Sequence, residues 1–364
     1  MALFDHRARM DRARRLMADR GVDVLLISVG SDLPYLTGYE ATPLERLTML
    51  VLPAEGEAVL VVPRLEAPRV EPLPEVFQVR PWAETEDPVE VVAGLAKGAH
   101  QAALGDQTWA AFLLRLQERM PGTSFQPAGP LTGELRMRKE PAELEQLRRA
   151  AEAADRVVER LAAHRFAGRS ERELSREIAQ MTVEEGHQAA GSPIVASGPN
   201  GASPHHEPGE RKMEPGDAVV VDFGGRLNGY HSDTTRNFLL GGPPRGYQAA
   251  FEVVSQAQQA AVEAVRPGVA AQEVDRAARS IIEAAGYGEA FLHRTGHGIG
   301  LEVHEHPYIV EGNQLLLEPG VTFSVEPGIY LAGRFGIRIE DIVAVTENGV
   351  ERLNRSLRAP IVVS

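Results

Sequence analysis

A chain of 364 residues, 43% of them hydrophobic, is long enough for two domains with cores of their own. Its formal charge of −13, from 38 basic and 51 acidic side chains, argues against a nucleic-acid partner, which needs a basic surface, and the absence of cysteine excludes disulfides and thiolate metal sites. The N-terminal stretch is dense in Arg and Asp and the apolar run Val22–Val29 is too short to cross a bilayer, so the sequence suggests no signal peptide, no membrane segment and a cytoplasmic protein.

In chain order, residues 5–20 read as a helix ended by Gly21, followed by a buried strand over Val22–Val29. Ser31–Glu40 reads as a loop. The apolar runs Leu47–Leu52 and Ala58–Val62 flank Pro53 and Gly56 and read as a hairpin. Strands near 76–79 and 102–105 alternate with helices over 88–97 and 108–119. This alternation predicts a small α/β domain over residues 1–128. The Pro- and Gly-containing stretch 129–140 reads as a linker. Pro141 then opens a long helix to about His164. Ser170 with Glu173 forms a capping-box pattern for a second helix ending near Gly186. Ile194–Ser197 is a predicted strand, 198–209 a loop, and 247–265 and 271–285 two further helices. From His293 onward the chain is β-rich. Residues 141–364 therefore predict a second, α+β domain.

The most informative stretch is Asp222–Asp233, between the apolar run 218–221 and the β-prone run 234–240. Asn228-Gly229 is a strong signal for a type I′ hairpin turn, since both central residues need positive φ. With that turn Leu227 pairs with Tyr230, Gly224 faces Asp233 and Asp222 faces Thr235. Asp222 and Asp233 then share a face as diagonal neighbours, with β-carbons roughly 7–8 Å apart at most. Two carboxylates so placed suit a cation between them.

Further candidates follow downstream. His297 lies between glycines in Thr295–Gly300; alone it reads equally as a turn histidine or a ligand. Glu326, at the end of an apolar run, must be paired, hydrogen-bonded or metal-bound if buried; alone it reads more readily as a salt-bridge partner. Strand alternation puts Arg338 and Glu340 on one face and Ile337 and Ile339 on the other; alone the polar pair reads as an ion pair on a solvated face. Together, two Asp, one His and two Glu make a carboxylate-rich set able to hold two divalent ions about 3.5–4 Å apart. Hard oxygen donors lean towards Mn2+, Co2+ or Fe2+.

The segments Asp-Phe-Gly-Gly, His-Ser-Asp-Thr-Thr-Arg, Thr-Gly-His-Gly-Ile-Gly, Val-Glu-Pro-Gly and Arg-Ile-Glu-Asp, in this order, resemble the five ligand segments of the pita-bread metallopeptidases. The resemblance runs from about residue 130 to the end. Residues 1–128, with Tyr35-Leu-Thr-Gly38, resemble more weakly the creatinase-type N-terminal domain, which favours the proline-specific branch. The resemblance implies an α+β pita-bread catalytic domain behind a smaller α/β domain. It implies Asp222, Asp233, His297, Glu326 and Glu340 as ligands of a dinuclear centre, with Mn2+ first and Co2+, Zn2+ or Fe2+ as alternatives. It implies His205, with His206 as the competing choice, together with His293 and His304, as histidines contacting substrate or stabilising the tetrahedral intermediate. Arg338 would bind substrate or hold the site.

The implied activity is an Xaa-Pro dipeptidase with a metal-bridging hydroxide as nucleophile and Glu326 as general base, acting on small peptides with proline second. An Xaa-Pro aminopeptidase acting on longer peptides is the alternative. A non-catalytic peptide-binding module on the same fold is the rival from another class, disfavoured because all five ligands are present. A homodimer is expected, with the loop Ser31–Arg46 a candidate for limiting substrate length.

Overall fold

In the computed structural model of the chain, which describes residues 4–364, the polypeptide divides into two units at Arg136/Met137. The first begins with α1 (His6–Asp19), whose first turn is capped by the Asp5 carboxylate accepting from Ala8 N. Then follow β1 (Val24–Ile27), α2 (Asp32–Thr37), β2 (Met49–Pro53), β3 (Val59–Pro63), β4 (Gln78–Trp82), α3 (Pro88–Leu95), β5 (Gln101–Leu104), α4 (Ala110–Arg119), β6 (Ser124–Pro127) and α5 (Gly129–Met137). The six strands form one mixed sheet in the order β4-β3-β2-β1-β5-β6. Every residue of β1 is buried, as befits the apolar run at the sheet's centre.

Two stretches differ from the sequence expectation. Residues 32–37, expected as loop, form the short helix α2, because Pro34 sits within the first turn, where its missing N–H costs nothing, and Gly38 closes the helix at φ +74°. Residues 129–137 of the expected linker form α5. Pro130 is again at a helix start, and the Gly129 N–H is satisfied by Asp106 Oδ1 at 2.9 Å. That acceptor lies 23 residues upstream, so no local pattern announces the helix.

The second unit opens with α6 (Pro141–Ala162) and α7 (Glu171–Glu184). Both have capping boxes, Ser170 with Glu173 at α7 and Glu140 with Glu143 at α6. Strands β7 (Ala189–Ala190), β8 (Ile194–Ser197), β9 (Ala218–Phe223), β10 (Gly225–Leu227), β11 (Tyr230–His231) and β12 (Thr234–Leu240) follow, then helices α8 (Tyr247–Ala264) and α9 (Ala271–Ala284). The remainder is β13 (Gly296–Gly298), β14 (Glu305–Ile309), β15 (Thr322–Val325), β16 (Gly328–Leu331), β17 (Phe335–Arg338), β18 (Asp341–Thr346), β19 (Gly349–Arg352) and β20 (Ile361–Val363).

Two sheets carry this unit, β20-β12-β9-β8 and β14-β13-β15-β18-β19. Side chains of α6 and α7, among them Val157, Leu161, Leu174 and Ile178, share a core with Val219, Val221 and Phe238 of the first sheet. Side chains of α8 and α9, among them Val254, Ala261, Val274 and Ile282, share another with Phe323, Val325 and Val343 of the second. The result is the α+β architecture implied by the resemblance.

The central hairpin has the register expected from its turn. Leu227 pairs with Tyr230 and Asp222 with Thr235. Asn228 and Gly229 both have positive φ, +50° and +88°. Gly224 is needed where the ladder changes sheet, since a β-carbon there would lie 2.0 Å from the Ser232 carbonyl oxygen.

Candidate metal centre

The second unit holds a cavity of about 860 Å³, lined by all nine predicted site residues: His205, Asp222, Asp233, His293, His297, His304, Glu326, Arg338 and Glu340. They arrive from different elements. Asp222 is the next-to-last residue of the apolar strand β9, and Asp233 stands at the entry to β12. His297 is the middle of β13, Glu326 follows β15, and Arg338 and Glu340 lie at and just after the end of β17. The face shared by Arg338 and Glu340 is not solvated, as the pair alone suggested. Both are buried, at 3% and 2% exposure, while Ile337 and Ile339 enter the core on the other side.

Ligating atoms of Asp233, His297 and Glu340 lie within 4.8 Å of one another. The His297 Nδ1 N–H points to the Gly298 carbonyl at 3.1 Å. This leaves Nε2 towards the acids, 3.2 Å from Glu326 Oε1 and 3.7 Å from Asp233 Oδ2. Such a hydrogen bond on the remote nitrogen fixes the tautomer a ligating histidine requires. The Ser324 hydroxyl donates to Glu326 Oε1 at 3.1 Å and accepts from His297 N at 3.0 Å, so it holds two of the five together.

Electrostatics marks the cluster as acid-rich. Burial and then the neighbouring Asp222 push the Asp233 carboxyl well above the usual carboxylate range. Burial, Asp233 and Glu326 do the same to Glu340. Burial also opposes ionisation of Glu326, but the His297 hydrogen bond and charge outweigh it and hold this carboxyl at about 2. For His297, burial favours the neutral ring, while the Glu326 hydrogen bond and the charges of Glu326 and Asp233 raise its pKa overall. Four clustered carboxylates repel unless cations join them. With one imidazole nitrogen they are a hard, oxygen-dominated donor set, and they fit divalent cations.

Arg338 is fully engaged. Its Nη2 donates to Asp222 Oδ2 at 2.6 Å, Nε to Thr235 Oγ1 at 2.9 Å, and Nη1 to the Tyr330 hydroxyl at 2.9 Å and the Pro204 carbonyl at 3.3 Å. Thr235 in turn donates to Glu340 Oε2 at 2.8 Å. His293 uses Nδ1 on the Arg294 carbonyl at 2.7 Å and Nε2 on the Tyr330 hydroxyl at 2.8 Å, and burial lowers its pKa. His304 packs edge-on to His297, with ring centroids 4.2 Å apart. Partial burial and then the charge of His297 lower its pKa to about 4, so its ring is neutral near pH 7. Of the two adjacent histidines, His205 lines the cavity while His206 Nε2 turns to Glu171 Oε2 at 2.7 Å.

Sequence reasoning missed Tyr330, Thr235 and Ser324. Their roles come from tertiary contacts between separate strands. A weak signal was present for Thr235, which the hairpin register places opposite Asp222.

The family model described as metallopeptidase family M24 matches residues 145–347, and that of the creatinase/prolidase N-terminal domain matches residues 9–138. A probable dipeptidase PepE of Mycobacterium tuberculosis is 45% identical over 98% of this chain and 96% of its own length. An Xaa-Pro dipeptidase of Lactobacillus helveticus is 36% identical over 93% of this chain and 95% of its own. Among solved structures, a recombinant prolidase from Thermococcus sibiricus superposes with a TM-score of 0.93 at 38% identity, covering 99% of this chain and 100% of that one. With both matches in this order and relatives this similar along its length, the chain belongs to metallopeptidase family M24, an enzyme whose peptidase part follows a creatinase/prolidase N-terminal domain.

Proposed function

We propose that this protein is a dinuclear-metal Xaa-Pro dipeptidase, with Mn2+ as the first choice of metal and Co2+, Fe2+ or Zn2+ as substitutes. Asp222, Asp233, His297, Glu326 and Glu340 would hold the ions. The observation that carries the reading is the convergence of four carboxylates and the His297 Nε2 on one cavity, with donor atoms of Asp233, His297 and Glu340 within 4.8 Å of one another. When bound, divalent ions bring the pKa of water towards neutrality and polarise the scissile carbonyl.

The chain's own groups do the rest. Glu326 Oε1 accepts the proton released when water attacks, held in place by the Ser324 hydroxyl. His304, neutral at pH 7, offers a ring N–H to the developing oxyanion. Arg338 has each nitrogen engaged within the protein, which supports a role in holding Asp222 rather than the substrate. Ala189, Ala190, Ile194, Phe223 and Val303 give the cavity an apolar wall suited to a proline ring, and Arg226 and Arg294 add positive charge suited to a free carboxylate. Names of the Lactobacillus and Thermococcus relatives support proline specificity. A cytoplasmic homodimer belongs to the same proposal, and sedimentation would check the dimer.

The test compares an Xaa-Pro dipeptide with the Xaa-Pro-Yaa tripeptide on Mn2+-loaded protein. The dipeptide is expected to be cleaved with the higher kcat/KM. Faster tripeptide cleavage makes the enzyme an Xaa-Pro aminopeptidase, and cleavage of neither removes the proline specificity.

A further inference from the structure

Glu171 is a buried acid that the proposed chemistry leaves unused. It is the first residue of α7, fully buried, and not among the residues lining the cavity. A carboxylate taken out of water costs several kcal/mol unless donors replace the lost hydration. Here they do. Oε1 accepts from Ser197 N at 2.8 Å and from the Ser197 hydroxyl at 2.7 Å. Oε2 accepts from His206 Nε2 at 2.7 Å and Gly209 N at 3.2 Å. Asn200 Nδ2 reaches both oxygens, at 3.0 and 3.2 Å. Burial raises the carboxyl pKa, but these hydrogen bonds outweigh it and keep the group below its ordinary value, hence ionised.

All these donors belong to one segment, residues 197–209, and they grip its first, fourth, tenth and last positions. The backbone repeats the grip. Glu171 N donates to the Arg211 carbonyl at 3.1 Å and Arg172 N to the Gly209 carbonyl at 3.0 Å. The same segment carries Pro204, whose carbonyl receives Arg338, and His205, which faces the cavity. It also runs tight against β17, where a β-carbon at Gly201 would lie 2.8 Å from Gly336 N. His205 is thus fixed from one side by β17 and from the other by a single carboxylate.

We propose that Glu171 is the positioning residue for His205, and that the neighbouring His206 is the loop's grip on Glu171 rather than a second cavity histidine. The proposal rests on the peptidase reading of His205. A glutamine at 171 can accept on one atom only. Its NH2 would face either the His206 and Gly209 donors or the Ser197 pair, so half of the grip is lost at nearly constant volume.

The test is a double-mutant cycle on the Mn2+-loaded enzyme with an Xaa-Pro dipeptide. Glu171→Gln is expected to lower kcat/KM about tenfold, equivalent to ~1.4 kcal/mol. In a His205→Ala background it should cost nothing further, because its route of action is already gone. His206→Ala should show the same dependence on His205, and His206→Gln, which restores a donor, should recover most of the loss. If Glu171→Gln fails to fold, the His206 pair alone completes the cycle. A second readout needs no catalysis: the His205 imidazole NMR signals should shift or broaden in Glu171→Gln or His206→Ala, while those of His187 stay in place. An equal loss with and without His205, or an unmoved His205 signal, overturns the proposal. If the wild type cleaves no Xaa-Pro bond, the proline reading fails while the imidazole signals still decide this one.

Discussion

Glu340 and Asp341 are consecutive, both carboxylates, and buried to 2% and 1% exposure, yet the chain treats them differently. Asp341 points into a pocket of the protein's own donors. Arg236 Nη2 reaches its Oδ1 at 2.8 Å, and Arg352 Nη1 and Gln258 Nε2 reach its Oδ2 at 2.9 and 3.0 Å. Glu340 points the other way. Its carboxylate receives the Thr235 hydroxyl and otherwise faces Asp233, Glu326 and Asp222, with Arg338 as the nearby cation. One acid is neutralised by the fold. The other is held against like charge, which raises its pKa and which cations from outside would relieve. A buried acid with its own guanidinium is part of the scaffold, and a buried acid among acids is prepared for a ligand.

The largest effect expected is on the cavity side. Asp233→Asn should reduce hydrolysis by at least about a thousandfold, ~4 kcal/mol of transition-state stabilisation. It should leave the chelator-treated protein at least as heat-stable as chelator-treated wild type, because it removes one of several mutually repelling carboxylates. Activity assays and thermal melts on both proteins, with and without Mn2+, check both halves. Full activity would refute the ligand assignment, and a large drop in the metal-free Tm would mean that the cluster is structural after all.

On the opposite side the signs reverse. Asp341→Ala strands Arg236, itself 1% exposed, and removes the carboxylate that Arg352 pairs with. Breaking a buried pair this way costs about 3–5 kcal/mol. For a domain of this size that lowers Tm by roughly 10 °C, with or without metal. A Tm within 2 °C or so of wild type would erase the distinction between the two acids.

How far these differences were legible in sequence depends on how local their causes are. The hairpin was readable because Asn228-Gly229 sets the pairing, and the pairing sets which side chains share a face. The resemblance of the five motif segments to the metallopeptidases pointed to Glu326 and Glu340 although each alone read better as a salt-bridge partner. Nothing local distinguishes Glu340, the proposed ligand, from Asp341, the scaffold acid. That depends on Arg236, Gln258 and Arg352, which lie 105, 83 and 11 residues away. Helix α5 was missed for the same kind of reason, its first N–H being satisfied by Asp106 from another loop.

Tyr330 gives the smallest effect and the finest test, because it lies between the two kinds of environment. Its hydroxyl accepts from Arg338 Nη1 and faces the His293 Nε2. His293 Nδ1 is engaged with the Arg294 carbonyl, so it is Nδ1 that carries the proton and Nε2 that accepts from the tyrosine. The hydroxyl therefore takes a hydrogen bond from the arginine that holds Asp222 and gives one to a cavity histidine. Burial pushes its own pKa up to about 12, so it remains a donor throughout the working pH range. Tyr330→Phe keeps the ring and deletes both bonds. Arg338 retains Thr235, Pro204 and Asp222, so the guanidinium stays satisfied and stability should fall by only about 1 kcal/mol, roughly 2–4 °C in Tm. Among the described residues His293 Nε2 has no other hydrogen-bond partner, so its ring is freed to turn. The expected loss in kcat/KM is about tenfold, ~1.4 kcal/mol, and it should vanish in a His293→Ala background. A loss that persists without His293 would mean that Tyr330 acts through Arg338 and the proposed metal ligands instead, which places it with Glu340 rather than with the self-satisfied scaffold around Asp341.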